Sequence, residues 1–221
     1  MALWLCRAGR HGEHERKFLD EGRISLTWSG LNCDLGKLKD RKDLMTVLEE
    51  VYPKFTHAHR IQNSGQIWAF ARRMSPGDWV CVPSKRKTLH IGKITGDYVF
   101  VPDAEDRYFH YRTIKWLTTD VPRTNFDQDI LNSLGAFTTI CQIKRNDAEA
   151  RVRAMQANGW KSVGIKPTAH EDEGTTDDEI GTDFDLEQIA RDQIARLIIS
   201  KYSGRGLETL VEAILNAQGY T

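Results

Sequence analysis

The side chains with the clearest chemical potential in this sequence are basic. Lys85, Arg86 and Lys87 are consecutive between two apolar runs, and three cations in one turn could contact phosphate groups. The simpler interpretation is a solvated turn. A phosphate-binding face would be larger if the fold gathers five further cations: Arg7, Arg10, Arg72, Arg73 and Lys93.

Charge is distributed unevenly along a chain of 221 residues that is neutral overall. Residues 1–170 hold 27 basic and 19 acidic side chains, a surplus of eight positive charges, whereas residues 171–187 hold nine acidic side chains and no basic ones. A basic region attracts nucleic-acid backbones electrostatically. A mildly basic surface without a partner is an equal alternative.

The residues of common catalytic and metal sites do not occur at the required spacing. His57 and His59 lack a third ligand and the helical spacing of zinc sites. No Ser-His-Asp arrangement with recognisable context and no Walker lysine pattern occurs. Four cysteines lie far apart without a CxxC pair, which favours reduced thiols: Cys6, Cys33, Cys81 and Cys141. We expect no cofactor, no metal and no catalysis in this chain by itself.

The elements that must position these side chains begin with a predicted hairpin over residues 77–98. Its sequence, GDWVCVPSKRKTLHIGKITGDY, alternates with a period of two and is punctuated by glycine. Further strands are predicted in ALWLCRAG, RISLTW, YVFVP and YFHYRTIKWL. Together with two or three helices they predict a mixed α+β barrel.

Helical patterns precede and follow these strands. One helix ends at Gly22 and the next, over residues 35–52, ends at Pro53. Asn63 and Ser64, at the end of HAHRIQNSG, are interpreted as a polar turn, and QIWAFARRM as either a buried strand or a short helix. Two more amphipathic helices are predicted in residues 125–137 and 147–160.

The C-terminal part has a different character. Residues 161–185 are acidic and poor in apolar side chains, which predicts a solvated linker, and residues 186–221 predict a pair of amphipathic helices. Two helices this short need the barrel, another chain or residues outside this sequence to cover their apolar faces. A homodimer through this segment is therefore one alternative.

Targeting signals are not apparent in the sequence. No run of eighteen apolar residues occurs, and the N-terminal MALWLCRAGRHGEHE becomes charged after Cys6, too early for a signal peptide. We expect a cytoplasmic protein without membrane contact.

The order of elements over residues 3–122 resembles the PUA-like superfamily, which includes EVE and YTH domains and, more distantly, SRA domains. The similarity to the YTH and EVE order covers about half of the chain. The matching elements are, in order, LWLCRAG, a helix, RISLTWSG, a strand that begins with Gly77 and Asp78, and YRTIKWLTTDVPR. The resemblance implies a reader that holds a flipped, modified base between aromatic side chains. It predicts Trp28 as one wall and Tyr108 as the other, with Phe109 and Tyr111 as rivals of Tyr108.

The same resemblance implies polar groups that bind the base edge. Arg7, Ala8 and Gly9 match the loop that holds the base in YTH domains, and Ser29 would add a backbone or hydroxyl contact. From the residues themselves, Asn63 and Ser64 could close the pocket or form an ordinary turn. For Trp28 a core position is as plausible as the cage.

LETLVEAILNAQGYT resembles the opening helix of the Mrr-type restriction endonuclease domain, in which reader domains precede a PD-(D/E)xK nuclease core. The resemblance implies that the metal-binding Asp and the QxK strand follow Thr221, so Mg²⁺ would belong to that missing core. The predicted organisation is a reader over residues 1–145, a helix and acidic linker over 146–185, and the start of a nuclease domain over 186–221. The expected function is binding of DNA that carries a methylated base. The alternative is a PUA-like module for RNA or a small nucleotide.

Overall fold

A computed structural model describes residues 1–135, 138–164, 186–202 and 204–219. Within these residues the chain forms a curled, half-barrel sheet of seven strands with flanking helices, which confirms the predicted α+β class. The strands are β1 Leu3–Cys6, β2 Arg23–Ser25, β3 Trp79–Pro83, β4 Thr88–Ile94, β5 Val99–Phe100, β6 His110–Pro122 and β7 Ile140–Gln142. The helices are α1 Glu15–Glu21, α2 Arg41–Val51, α3 His57–Trp68, α4 Gln128–Ser133, α5 Ala148–Ala157, α6 Leu186–Lys201 and α7 Arg205–Ala217. Most of the predicted acidic linker, residues 165–185, lies outside the described residues.

The sheet has the strand order β2-β6-β4-β3-β1-β7, with β5 paired to β6. β1 and β3 are parallel, and every other pair is antiparallel. The long strand β6 pairs with β2 and β5 near its start and with β4 along most of its length, and the ladder with β4 is irregular between Leu89 and Gly92. A bulged strand twists and bends its ladder, which helps the sheet to curl.

The predicted hairpin is β3 and β4, in the register Trp79↔Lys93 and Val82↔His90. The two faces of this hairpin pack into two different hydrophobic cores. Val80 and Val82 belong to the core on the side of α1, α2 and α3, whereas Trp79 and Cys81 belong to the core on the side of α4 and α5. Because both faces of the sheet are covered, the apolar residues of β3 are almost continuous.

Helix α1 ends as its glycine predicts. Gly22 has φ 59° in the left-handed region, and its N–H donates to the carbonyl oxygens of Leu19 and Phe18. This geometry is available to glycine at little cost, so the sequence identifies the end of the helix.

The polar turn predicted in HAHRIQNSG is wrong. These residues form most of helix α3, which begins at Thr56, whose hydroxyl accepts the N–H of His59, and continues as a π-helical turn, Ala69–Arg73. Packing explains the helix, because Ile67 is buried in the core and the Gln66 side chain accepts the N–H groups of Thr139 and Ile140. These two hydrogen bonds attach α3 to the start of β7.

The end of the π-helical turn is completed by a buried arginine of β6. Arg112 donates from Nε to the carbonyl oxygen of Phe70 at 2.8 Å and from Nη2 to that of Ala71 at 3.1 Å. Burial lowers the pKa of Arg112, and Asp97 and Asp78 oppose that shift. A cation at these carbonyls complements the negative end of the helix dipole.

Helix α6 is attached to the sheet domain by a buried ion pair. Arg123 donates from Nε to Asp192 Oδ1 at 2.9 Å and from Nη2 to Oδ2 at 2.6 Å. Next to this pair, a Cβ on Gly135 would lie 3.3 Å from Ile189, so the two segments are in close contact. Helix α7 has no buried residue, and its apolar side chains are largely exposed.

Among the described helices, none combines the length and the apolar character that crossing a bilayer requires.

Candidate functional site

A cleft of about 1060 Å³ opens between the loop after β1 and the loop after β2. It is lined by aromatic, cationic and acidic side chains together with backbone: Arg7, Gly9, Arg10, His11, Glu13, His14, Thr27, Trp28, Ser29, Tyr52, Phe55, Arg107, Thr139, Leu186 and Glu187. Four residues predicted for base binding are among them, namely Arg7, Gly9, Trp28 and Ser29.

The loop after β1 is folded tightly against its own backbone. Gly9 has φ +87°, and a Cβ at this position would lie 2.5 Å from Glu13 Cδ. The N–H of His14 donates to the carbonyl oxygen of Ala8, and the N–H of His11 donates to Glu13 Oε2 at 2.7 Å. The loop therefore presents backbone and short side chains to the cleft in a fixed shape.

The loop after β2 is held from two sides. Asp106 accepts the Ser29 hydroxyl at 2.5 Å and the Gly30 N–H at 2.7 Å, and these hydrogen bonds lower the pKa of Asp106. The Tyr52 hydroxyl donates to the Ser29 carbonyl oxygen at 2.8 Å. Burial raises the pKa of Tyr52, so the phenol stays protonated and can donate. This loop positions Trp28 at the cleft.

Aromatic surface of the cleft comes from Trp28, Tyr52 and Phe55. Trp28 is half-buried against the core, which leaves part of its indole exposed. Tyr52 and Phe55 are stacked at 4.8 Å with an interplanar angle of 9°, and Phe55 also stacks on His59 at 4.3 Å. Flat rings at the surface of a cleft suit the stacking of a planar ligand.

Charge in the cleft favours an anionic ligand. Arg7, Arg10 and Arg107 line it, against two carboxylates. Hydrogen bonds from its own backbone N–H and from that of His11 lower the pKa of Glu13, and Glu187 pairs with Arg191 on the same helix. Both carboxylates are thus engaged locally, while three guanidinium groups lie around one opening.

Tyr108 lies behind the cleft rather than in its wall. Its hydroxyl is 2.6 Å from Nδ1 of His14, and the Lys17 ammonium lies 3.9 Å from the centre of its ring. Burial lowers the pKa of His14. Of the two rivals, Phe109 is buried and Tyr111 stacks under Arg23 at 4.2 Å. Tyr108 is connected to the cleft through its hydrogen bond to His14, which lines it.

Three other predicted residues are buried away from the cleft. Ala8 is 1% exposed. Asn63 and Ser64 lie inside helix α3, where the Ser64 hydroxyl donates to the carbonyl oxygen of Ile61. Because the predicted turn is a helix, these two side chains do not close the pocket.

The predicted backbone-contact residues are separated by the fold. Lys85, Arg86 and Lys87 are exposed at the turn between β3 and β4, close to the loop after β1. Arg72 and Arg73 instead bind within the domain, through the Gly36 carbonyl oxygen and the Gln142 side chain respectively.

Sequence reasoning missed Tyr52, Phe55 and Arg107. The signal for the first two was the VYPKF segment, in which two aromatic residues flank the proline that ends α2. Arg107 has φ 74°, which places it in the left-handed region just before β6. No periodicity identifies a residue of this kind, because its position depends on the turn that returns from β5.

In the described parts of the chain, no group of three or more His, Cys, Asp or Glu side chains is arranged to hold a metal ion.

Comparison with known proteins gives a family but no activity. No curated protein and no solved structure matches the chain. The profile of a family described as a domain of unknown function, DUF8426, matches residues 4–144, which run from β1 through β7 and include most of the cleft. This chain belongs to the DUF8426 family.

Proposed function

We propose that the sheet domain is a PUA-like reader of DNA that holds one methylated base, rotated out of its duplex, in the cleft between the loops after β1 and β2. The observation that carries this proposal is the placement of Trp28 in the same cleft as Arg7, Gly9 and Ser29. A residue that can stack and groups that can hydrogen-bond to a base edge thus face one space.

Stacking supplies the affinity in this proposal. A base stacked on an aromatic side chain gains about 1–3 kcal/mol, which is comparable to the cost of extracting it from a duplex. Trp28 offers one face, and the Tyr52–Phe55 stack offers further aromatic surface in the same cleft. The methyl group would gain further from contact with this aromatic surface.

Hydrogen bonding supplies the selectivity. The backbone around Gly9 and the Ser29 hydroxyl can hydrogen-bond to the edge of the base. The guanidinium groups of Arg7, Arg10 and Arg107 can bind the phosphates that flank it. Since Asp106 and Tyr52 already fix the loop that carries Trp28, little ordering is needed on binding.

The C-terminal helices are the proposed connection to an Mrr-type nuclease domain. Helix α7 exposes an apolar face formed by Leu207, Val211, Ile214 and Leu215, as expected of a helix that packs within a further domain. In this proposal the reader brings the nuclease to modified DNA, and the nuclease core uses Mg²⁺.

Fluorescence anisotropy with short duplexes tests the proposed function. Duplexes that contain methyladenine or methylcytosine are compared with unmodified duplexes and with RNA of the same sequence. We expect at least one methylated duplex to bind about 10-fold more tightly than its unmodified form. Trp28→Ala should abolish this difference, and Trp28→Phe, which retains an aromatic face, should preserve part of it. Trp160→Phe is the matched control, because Trp160 packs on Trp79 outside the cleft.

Equal affinity for modified and unmodified DNA would overturn the proposed function. Tighter binding of single-stranded RNA than of any methylated duplex would replace it with an RNA-binding role. A nucleotide that copurifies with the protein and is lost in the Trp28→Ala variant would indicate a small-ligand site.

A further inference from the structure

We propose that the turn between β3 and β4 and the loop after β1 form one continuous track for the DNA backbone, which leads away from the cleft on the side of the β3–β4 turn. The track consists of Arg10 on the loop and Lys85, Arg86 and Lys87 on the turn. This inference rests on the proposed function, since it describes how the strand that carries the modified base continues.

The loop and the turn are in direct contact. A Cβ on Gly12 would lie 2.9 Å from Lys85 Cγ and 3.6 Å from the Lys85 backbone nitrogen. Gly12 has φ +72°, and it is buried between its exposed neighbours and the turn. The loop therefore faces the cleft through residues such as Gly9 and His11, and faces the turn through Gly12.

A buried network fixes the turn in this position. Glu15 accepts the Lys85 N–H at 2.8 Å through Oε2 and lies 3.0 Å from His90 Nε2 through Oε1. The N–H of Asp120 donates to His90 Nδ1 at 3.1 Å, so Nδ1 is the acceptor and Nε2 carries the proton that His90 donates to Glu15. His90 is fully buried, which makes this arrangement rigid.

The same network engages the carboxylate that lies next to the turn. Glu15 keeps its negative charge, but its oxygens accept the Lys85 N–H and the His90 Nε2–H, so the carboxylate is directed at these two groups rather than at the side chains of the turn. The side chains of Lys85, Arg86 and Lys87 remain exposed. Arg10, also exposed, lies at the cleft end of the track.

The arrangement makes a directional prediction. A nucleic-acid strand carries one negative charge per nucleotide, so a row of cations on one side of the cleft binds the phosphates on one side of the flipped base. Removing the flanking nucleotides on that side should reduce affinity by about 10-fold or more, whereas removing those on the other side should reduce it much less.

The test uses the full chain and the variant Lys85→Gln/Arg86→Gln. Glutamine keeps the Cγ that contacts Gly12 and leaves the Lys85 backbone N–H in place. The matched control is Lys93→Gln/Lys115→Gln, which removes two exposed cations at the other end of β4, about 20 Å along the strand. Affinity is measured against salt concentration for methylated DNA with the modified base near the 5′ end, in the centre or near the 3′ end.

We expect the turn variant to reduce the slope of log affinity against log salt by about 1.4 for a single strand or about 1.8 for a duplex. It should weaken modified and unmodified DNA equally and remove the difference between the two flanks, while the control variant changes neither. Unchanged slopes in the turn variant, or two flanks of equal importance in the wild-type protein, would overturn the track. Loss of discrimination by methylation in Trp28→Ala is a separate result, so failure of the track is distinguishable from failure of the reader.

Discussion

The Asp106 carboxylate holds Ser29 by accepting its hydroxyl at 2.5 Å, across 77 positions of sequence. The same carboxylate accepts the N–H of Gly30. These two hydrogen bonds connect the turn before β6 to the loop after β2, so the position of Trp28 depends on a residue that does not itself line the cleft.

Asp106→Asn should weaken binding of methylated DNA without unfolding the domain. Asparagine keeps one acceptor oxygen, and its NH₂ group would face one of the two donors, so one hydrogen bond is lost, the other loses its charged acceptor and the Trp28 loop becomes less ordered. We expect affinity to fall about 10-fold, or about 1.4 kcal/mol. Asp103→Asn, an exposed change in the same turn, is the control. Equal binding by both variants would show that this loop does not need Asp106.

Gly9→Ala tests the shape of the loop after β1. The substitution adds a Cβ 2.5 Å from Glu13 Cδ at a residue with φ +87°, so the Glu13 side chain must move and give up its hydrogen bond from the His11 N–H, in addition to the cost of a left-handed alanine, about 1–2 kcal/mol. Gly159→Ala carries a similar backbone cost at φ +61°, with no atom within 4 Å of the added Cβ. We expect both variants to lose similar stability in urea unfolding, but only Gly9→Ala to bind DNA more weakly. Wild-type affinity for Gly9→Ala would exclude this loop from the site.

The predicted and observed structures agree where local pattern determines the outcome. The β3–β4 hairpin follows from a period of two around a polar turn, and the end of α1 follows from Gly22. They differ where a segment's structure depends on pairing with residues that are distant in the sequence. Strand β7 has three residues and exists because it pairs with β1, from Cys6↔Ile140 to Trp4↔Gln142, more than 130 positions away.

The candidate site was predictable to the same extent. Trp28, Ser29, Arg7 and Gly9 were predicted from the resemblance to YTH domains, and the structure places all four at one cleft. Tyr52 and Phe55 could not be assigned to the same cleft, because their position depends on how α2 packs on the sheet. Tyr108 was predicted as a wall of the site, whereas the structure lines the cleft with His14, to which the Tyr108 hydroxyl is hydrogen-bonded. The sequence does not show this contact, because it joins residues far apart in the chain.

His110 makes the stability of the domain depend on pH. It is buried, with Nε2 2.7 Å from the Leu31 carbonyl oxygen and Nδ1 2.8 Å from the Tyr98 hydroxyl. The carbonyl requires Nε2 to donate, so Nδ1 accepts from Tyr98 and the imidazole is neutral. Burial lowers the pKa of His110 below its ordinary value of 6.5, although the hydrogen bond to Leu31 opposes that shift.

Because the folded-state pKa is the lower one, the unfolded chain binds more protons below pH 6.5. The stabilisation is complete above pH 6.5 and decreases as pH falls through the folded-state pKa, by at most about 1.4 kcal/mol per pH unit. Urea unfolding between pH 7.5 and 5.0 should show this slope, and His110→Gln should reduce it. His57→Gln, at an exposed position, should not. A slope that His110→Gln leaves unchanged would assign the pH dependence to another group.

The buried pair Arg123–Asp192 predicts that α6 can be released without unfolding the sheet domain. In Asp192→Ala the Arg123 guanidinium loses its carboxylate, and a buried charge without its partner costs about 3–5 kcal/mol. The chain can avoid this cost by detaching α6, which exposes Arg123 to water. We therefore expect faster hydrogen exchange and proteolysis in residues 186–201, with exchange in β3 and β4 unchanged. Arg191→Gln, which breaks only the exposed pair with Glu187, is the control.

Because Leu186 and Glu187 line the cleft, release of α6 should also open that side of it, and faster association of DNA with Asp192→Ala would show this. Exchange that increases equally in α6 and in the central strands would contradict the prediction, because it would mean that the helix and the sheet unfold as one unit.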